Sequence, residues 1–123
     1  IERYKDPQFK KELDPHDISF EDENPLCGDQ LRVDLRVDET GLITDAGFSG
    51  HGCAISQASA DLLMESIIGK NIEEVKKLTK QDILDLLGIE LGPVRLKCAL
   101  LSLKVAKAGV YGLGEASDAL VED

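Results

Sequence analysis

The chain has no tryptophan, and aromatics make up only 4% of its 123 residues. Its core is therefore expected to be mostly aliphatic. No apolar run approaches the ~20 residues that a helix needs to cross a bilayer, so no membrane partner is expected. Basic residues are few as well: 14 Lys and Arg stand against 24 Asp and Glu, a formal net charge of −10. Phosphate backbones are bound by clustered Lys and Arg, so this balance argues against nucleic acid as a partner. It favours solubility and steering toward a basic protein surface. No signal-peptide pattern opens the chain, and Ile1 in place of Met leaves room for residues ahead of it. Cysteines number three. An odd count argues against a closed disulfide framework and for reducing, cytoplasmic surroundings. No CxxC pair is present, which sets aside the classical zinc ribbon.

What is there reads as one globular domain over residues 1–123, with 42% hydrophobic and 31% charged residues. Residues 1–17 are expected to form an N-terminal arm laid over the domain, and 114–123 an acidic tail. Within the arm a short helix over Tyr4–Leu13 is a weak expectation, and Asp17–Phe20 has the character of an edge strand. From Gln30 to Asp38 the pattern alternates: Leu31, Val33, Leu35 and Val37 against Arg32, Asp34, Arg36 and Asp38. A period of two predicts a strand with one buried and one wet face. Asp38-Glu39-Thr40-Gly41 supplies a turn into a second strand over Leu42–Phe48.

Gly50-His51-Gly52 is expected to end that strand, and a helix to run from Ala54 to Ile68, with Ile55, Ala58, Leu62 and Ile67 at helical spacing. Its small residues Ala54, Ser56, Ala58, Ser59 and Ala60 leave room for something to approach its first turns closely. Asn71 and Thr79 cap two short helices, the second over Lys80–Leu87, and Pro93 sits where a helix N1 proline belongs. Strands followed by helices give an α+β class, a small antiparallel sheet with helices on one face.

The cysteines carry the chemistry. Cys27 stands in Asn24-Pro25-Leu26-Cys27-Gly28-Asp29, Cys53 in Gly50-His51-Gly52-Cys53-Ala54, and Cys98 in Arg95-Leu96-Lys97-Cys98. Two sit at chain reversals and one just inside a helix start. Helix N-termini and the neighbouring Lys97 favour the thiolate. Three thiolates with Asp29 match the ligand count of a tetrahedral metal site, and one Zn²⁺ or a 2Fe–2S core would leave a net charge of −2. His51 is a second candidate ligand. The plainer alternatives are that a free cysteine is a small buried hydrophobe, and that Asp29 caps a turn or pairs with Arg32. A cysteine hydrolase built on Cys53 and His51 lacks an evident third, orienting group.

These three segments resemble, in order and near-family spacing over about Ile18–Tyr111, the IscU/SufU iron–sulfur cluster assembly family, also called the NifU amino-terminal domain. The resemblance implies a three-stranded antiparallel sheet packed by helices. It implies that Cys27, Cys53, Cys98 and Asp29 converge at one surface to hold a transient 2Fe–2S cluster or Zn²⁺, with Cys27 or Cys98 accepting persulfide sulfur. It further implies a pyridoxal-phosphate-dependent cysteine desulfurase as sulfur donor and apo iron–sulfur proteins or carriers as recipients. The chain itself is expected as a monomer or weak homo-oligomer. Lys97 stands where the IscU branch has histidine, a SufU-like feature, and the SufU branch resembles a zinc-dependent sulfurtransferase. The stretch between Cys53 and Cys98 has the shorter, IscU-like length. The chaperone-recognition motif of IscU, Leu-Pro-Pro-Val-Lys, appears only as Leu91-Gly92-Pro93-Val94-Arg95.

Overall fold

A computed structural model describes residues 7–24, 28–88 and 90–112. Three strands come first, β1 (Ile18–Asn24), β2 (Asp29–Val37) and β3 (Ile43–His51). Four helices follow, α1 (Ala54–Ile67), α2 (Ile72–Lys76), α3 (Lys80–Leu87) and α4 (Pro93–Tyr111). The strands form one antiparallel sheet in the order β1-β2-β3, with Val33 opposite both Phe20 and Phe48. This is the α+β architecture that the residue pattern predicts.

The alternation along β2 sorts its side chains. Leu31, Val33 and Leu35 are buried in one cluster with Phe48 of β3, Leu63 and Met64 of α1, and Leu101 and Leu103 of α4. Among the described residues the fully buried core is aliphatic apart from Phe48, and half-buried Phe9 and Phe20 pack against it. The turn between β2 and β3 is held by Asp38, whose Oδ1 accepts from the backbone of Thr40 at 2.8 Å, from Leu42 at 3.0 Å and from the Thr40 hydroxyl at 2.6 Å. Helices α2 and α3 start in capping boxes, Asn71 with Glu74 and Thr79 with Asp82. Proline opens α4 and Gly112 closes it. On α1 the Ser59 hydroxyl donates to the Ala99 carbonyl of α4 at 2.7 Å, so the small residues of α1 admit the last helix. Among the described residues, no helix is long and apolar enough to cross a membrane.

Four expectations need correction. The helix over Tyr4–Leu13 is absent from its described part: residues 7–13 carry no helix and run along the free edge of β3. Phe48 N–H donates to the Phe9 carbonyl at 3.0 Å, and the N–H groups of Gln8 and Phe9 donate to Asp61 Oδ1 at 2.8 and 2.6 Å. A sheet edge and a buried carboxylate on α1 thus take the backbone groups a local helix would have paired internally. Residues 4–6 and the tail 114–123 lie outside the described residues.

The second correction concerns the wet face of β2. Asp34 lies on it and is buried. Its carboxylate accepts from the Ser19 hydroxyl at 2.6 Å, from Arg32 Nε at 2.9 Å and from the backbone of Leu13 at 3.1 Å. Burial pushes its pKa up, but the bonds from Ser19, Arg32 and Leu13, with the Arg32 charge, outweigh that and hold it below its ordinary 3.8. The arm covers this face, and period-two patterning carries no signal for a covering segment. Third, β3 does not break at Gly50. It continues through His51, which pairs with Gln30. Gly50 makes that continuation possible: its φ is +113°, and a Cβ there would lie 2.1 Å from the Gln30 carbonyl oxygen. Similarly, β1 extends beyond Phe20 to Asn24 by pairing its whole length with β2.

Candidate functional site

Register brings the site together. Pairing of Gln30 with His51 places the start of β2 beside the exit of β3. Asp29 is the first residue of β2, and Cys53 is the N-cap of α1. Cys98 lies in the second turn of α4. One ligand atom from each of Asp29, Cys53 and Cys98 lies within 4.8 Å of the others. Asp29 and Cys98 are buried and Cys53 is exposed, so this group opens to solvent at Cys53.

Asp29 has two contacts with Cys53. Its Oδ1 accepts the Cys53 backbone N–H at 2.8 Å, and its Oδ2 lies 3.8 Å from the Cys53 sulfur. The first bond satisfies one of the orphan donors at the start of α1, so Asp29 does act as a cap of that turn. The expected alternative partner, Arg32, instead pairs with Asp34 at 2.9 Å and lies 3.7 Å from Glu12. Ser56 closes the other side: its hydroxyl lies 3.9 Å from the Cys53 sulfur and 3.1 Å from the Cys53 carbonyl. Gly52 permits this packing. A Cβ at Gly52 would lie 2.4 Å from Ser56 Oγ and 2.6 Å from Asp29 Oδ1.

The donor set suits a cation. Thiolate sulfur and carboxylate oxygen repel when both are charged at this range, and a metal ion between them removes the repulsion. Tetrahedral Zn²⁺ with bonds of ~2.0–2.3 Å spaces its donors about 3.3–3.8 Å apart, within the reach of this group. Cys53 is a free thiol, whereas Cys98 is disulfide-bonded and would bind a metal only as the reduced thiolate.

Cys27 lies outside the described residues. His51 is exposed at the end of β3 and does not belong to the Asp29, Cys53 and Cys98 group. Lys97 and Arg95 are exposed on the first turns of α4, next to Cys98 in sequence. Ser56 is expected from the sequence only as one of the small residues at the start of the helix, and Gly52 only as part of a chain reversal; their places beside Cys53 and Asp29 are set by the fold. A serine three residues past a helix-capping cysteine is the signal that could have found Ser56; its neighbour Asp29 is far away in sequence.

The profile of the NifU-like N-terminal domain matches residues 1–116. The zinc-dependent sulfurtransferase SufU of Bacillus subtilis is 35% identical over 127 aligned residues, covering 89% of this chain and 85% of that protein. The iron–sulfur cluster assembly scaffold protein IscU of Thermotoga maritima is 35% identical over 116 residues, covering 81% of each. Among solved structures, a protein from Fervidobacterium islandicum assigned as an iron–sulfur cluster assembly scaffold for the SUF system superposes with a TM-score of 0.78. It shares 29% identity, over 89% of this chain and 91% of that one. The N-terminal part of a NifU-like protein from Brucella abortus shares the fold at a TM-score of 0.73, with 19% identity over 94% of this chain and 92% of that one. The chain belongs to the NifU-like N-terminal domain family.

Proposed function

We propose that this chain is an iron–sulfur cluster assembly protein. It accepts sulfur from a pyridoxal-phosphate-dependent cysteine desulfurase and assembles a 2Fe–2S cluster for transfer to apo iron–sulfur proteins or carriers. The observation that carries this reading is the meeting of Asp29, Cys53 and Cys98 at one partly open point. Cys27 completes the set on family resemblance, and Cys27 or Cys98 takes the sulfur. In the transfer step a thiolate of this chain attacks the outer sulfur of the desulfurase persulfide. The new S–S bond forms here, the old one breaks, and the desulfurase cysteine leaves as thiolate. An external two-electron reductant then takes the sulfane sulfur to sulfide. Thiolate chemistry of this kind belongs to a reducing compartment, here the cytoplasm.

A second reading has its own support. All three donors lie within 4.8 Å of one another, a span that a single ion can bridge. The relative SufU is named as zinc-dependent. On this reading Zn²⁺ orders the thiolates and the desulfurase frees one of them, Cys27, to receive sulfur without a cluster being held. Anaerobic reconstitution with iron, sulfide and reductant separates the two. A stable visible absorption band with near-stoichiometric iron supports the scaffold. Retained zinc, no such band and accelerated desulfurase turnover support the sulfurtransferase. A chain that binds neither metal and leaves the desulfurase unaffected contradicts both.

A further inference from the structure

We propose that Ser56 is a positioning residue of the metal site, its hydroxyl donating to the Cys53 sulfur when that sulfur is a coordinated thiolate. This rests on the reading of Asp29, Cys53 and Cys98 as metal ligands. Cys53 is the N-cap of α1, yet its side chain makes no capping bond to the helix backbone. A thiolate there needs a donor from elsewhere. Among the described residues, the two polar side chains in hydrogen-bond range of its sulfur are Asp29 at 3.8 Å and Ser56 at 3.9 Å. An ionised Asp29 only accepts, so it cannot stabilise a thiolate. A hydroxyl can do so by turning its proton.

In the thiol form the Ser56 hydroxyl donates to the Cys53 carbonyl at 3.1 Å, while the thiol proton can point to Ser56. A metal-bound sulfur carries no proton, so there the contact runs the other way: the hydroxyl keeps its place and turns its proton to sulfur. Ser56 is fully buried, so water does not readily replace it as donor. The absence of a side chain at Gly52 holds the slot open, since a Cβ there would displace Ser56 Oγ or Asp29 Oδ1. The serine thereby fixes which direction the sulfur lone pairs face, as outer-shell partners of metal ligands do.

Cobalt(II) loaded into the reduced protein tests this by optical spectroscopy, with zinc affinity measured beside it by chelator competition. Removing a hydrogen bond from a coordinated thiolate raises its lone-pair energy. Ser56→Ala is therefore expected to move the sulfur-to-cobalt charge-transfer band to longer wavelength and to weaken zinc binding about 10–100-fold. Ser56→Thr, which restores the hydroxyl, returns the band toward the wild-type position. Ser59→Ala is the control. It removes a buried hydroxyl one turn further along α1, bonded to Ala99 and Ser102, and leaves the band unmoved while lowering stability. A band unchanged in Ser56→Ala, or shifted equally in Ser59→Ala, overturns the proposal. So does a Ser56→Ala chain that cannot fold, because the hydroxyl would then be structural. A wild-type chain with no charge-transfer band contradicts the underlying metal reading instead.

Discussion

Replacing Gly52 by alanine adds one methyl group at the tightest point of the site. Gly52 has no positive φ, so alanine meets no backbone strain there and the cost is steric. The new Cβ would lie 2.6 Å from Asp29 Oδ1 and 2.4 Å from Ser56 Oγ, against an ordinary contact of 3.4 Å or more. The Asp29 oxygen must therefore recede by about 0.8 Å, and a backbone bond that is 2.8 Å long becomes too long to count as one. Overpacking costs about 1–3 kcal/mol and loss of a bond to a charged acceptor about 1.5–3 kcal/mol. The two are alternative relaxations in part, so about 2–4 kcal/mol is expected. Urea unfolding should show the midpoint falling with an unchanged slope. Zinc competition should show affinity falling with it, because the Asp29 carboxylate and Ser56 move together. A Gly52→Ala protein with wild-type midpoint and wild-type affinity would refute the packing argument.

Further outcomes follow from the same contacts. Asp29→Asn keeps an oxygen for the Cys53 N–H but loses the charge, so it should weaken zinc binding while changing stability by under about 1 kcal/mol; Asp29→Ala should lose both. Chelator competition and urea unfolding read the two effects separately. Asp61→Ala removes the carboxylate that accepts from the amides of exposed Gln8 and half-buried Phe9, at about 0.5–1.5 kcal/mol per bond, and limited proteolysis should then cut within residues 7–17. Asp34 has a folded pKa below its ordinary value. Its contribution is therefore present above that ordinary value, 3.8, and is lost as pH falls through the lower, folded one. Protection of the Leu13 amide relative to its intrinsic exchange rate, followed down to pH 3, should fall as the arm loosens, and Asp34→Asn should remove that acid dependence.

The strands and helices were legible because each carries a local signal. Alternation marks β2, Asn71 and Thr79 mark helix starts, and Pro93 marks the entry to α4. The arm was not legible in detail, because its partners are distant: Asp34 and Asp61 read as a solvated strand residue and a helix charge, yet both are buried acceptors of arm amides. Gly50 read as a strand breaker because glycine weakens strands; in the fold its positive φ keeps the strand going to His51 beside the Gln30 backbone. At the site, residue type and context suggested Asp29, Cys53 and Cys98 as partners. What they could not show is that Asp29 spends one oxygen on the Cys53 amide, or that Gly52 is small to leave room for Asp29 and Ser56. Those are facts of register, set by the Gln30–His51 pair.

X-ray absorption at the zinc edge of the reduced, zinc-loaded chain tests the central claim most directly. The account predicts one zinc per chain with sulfur scatterers at about 2.3 Å beside a light-atom scatterer at about 2.0–2.2 Å. It also predicts that Cys53→Ala lowers the sulfur count. A shell of oxygen and nitrogen alone, or a sulfur count untouched by Cys53→Ala, would contradict it.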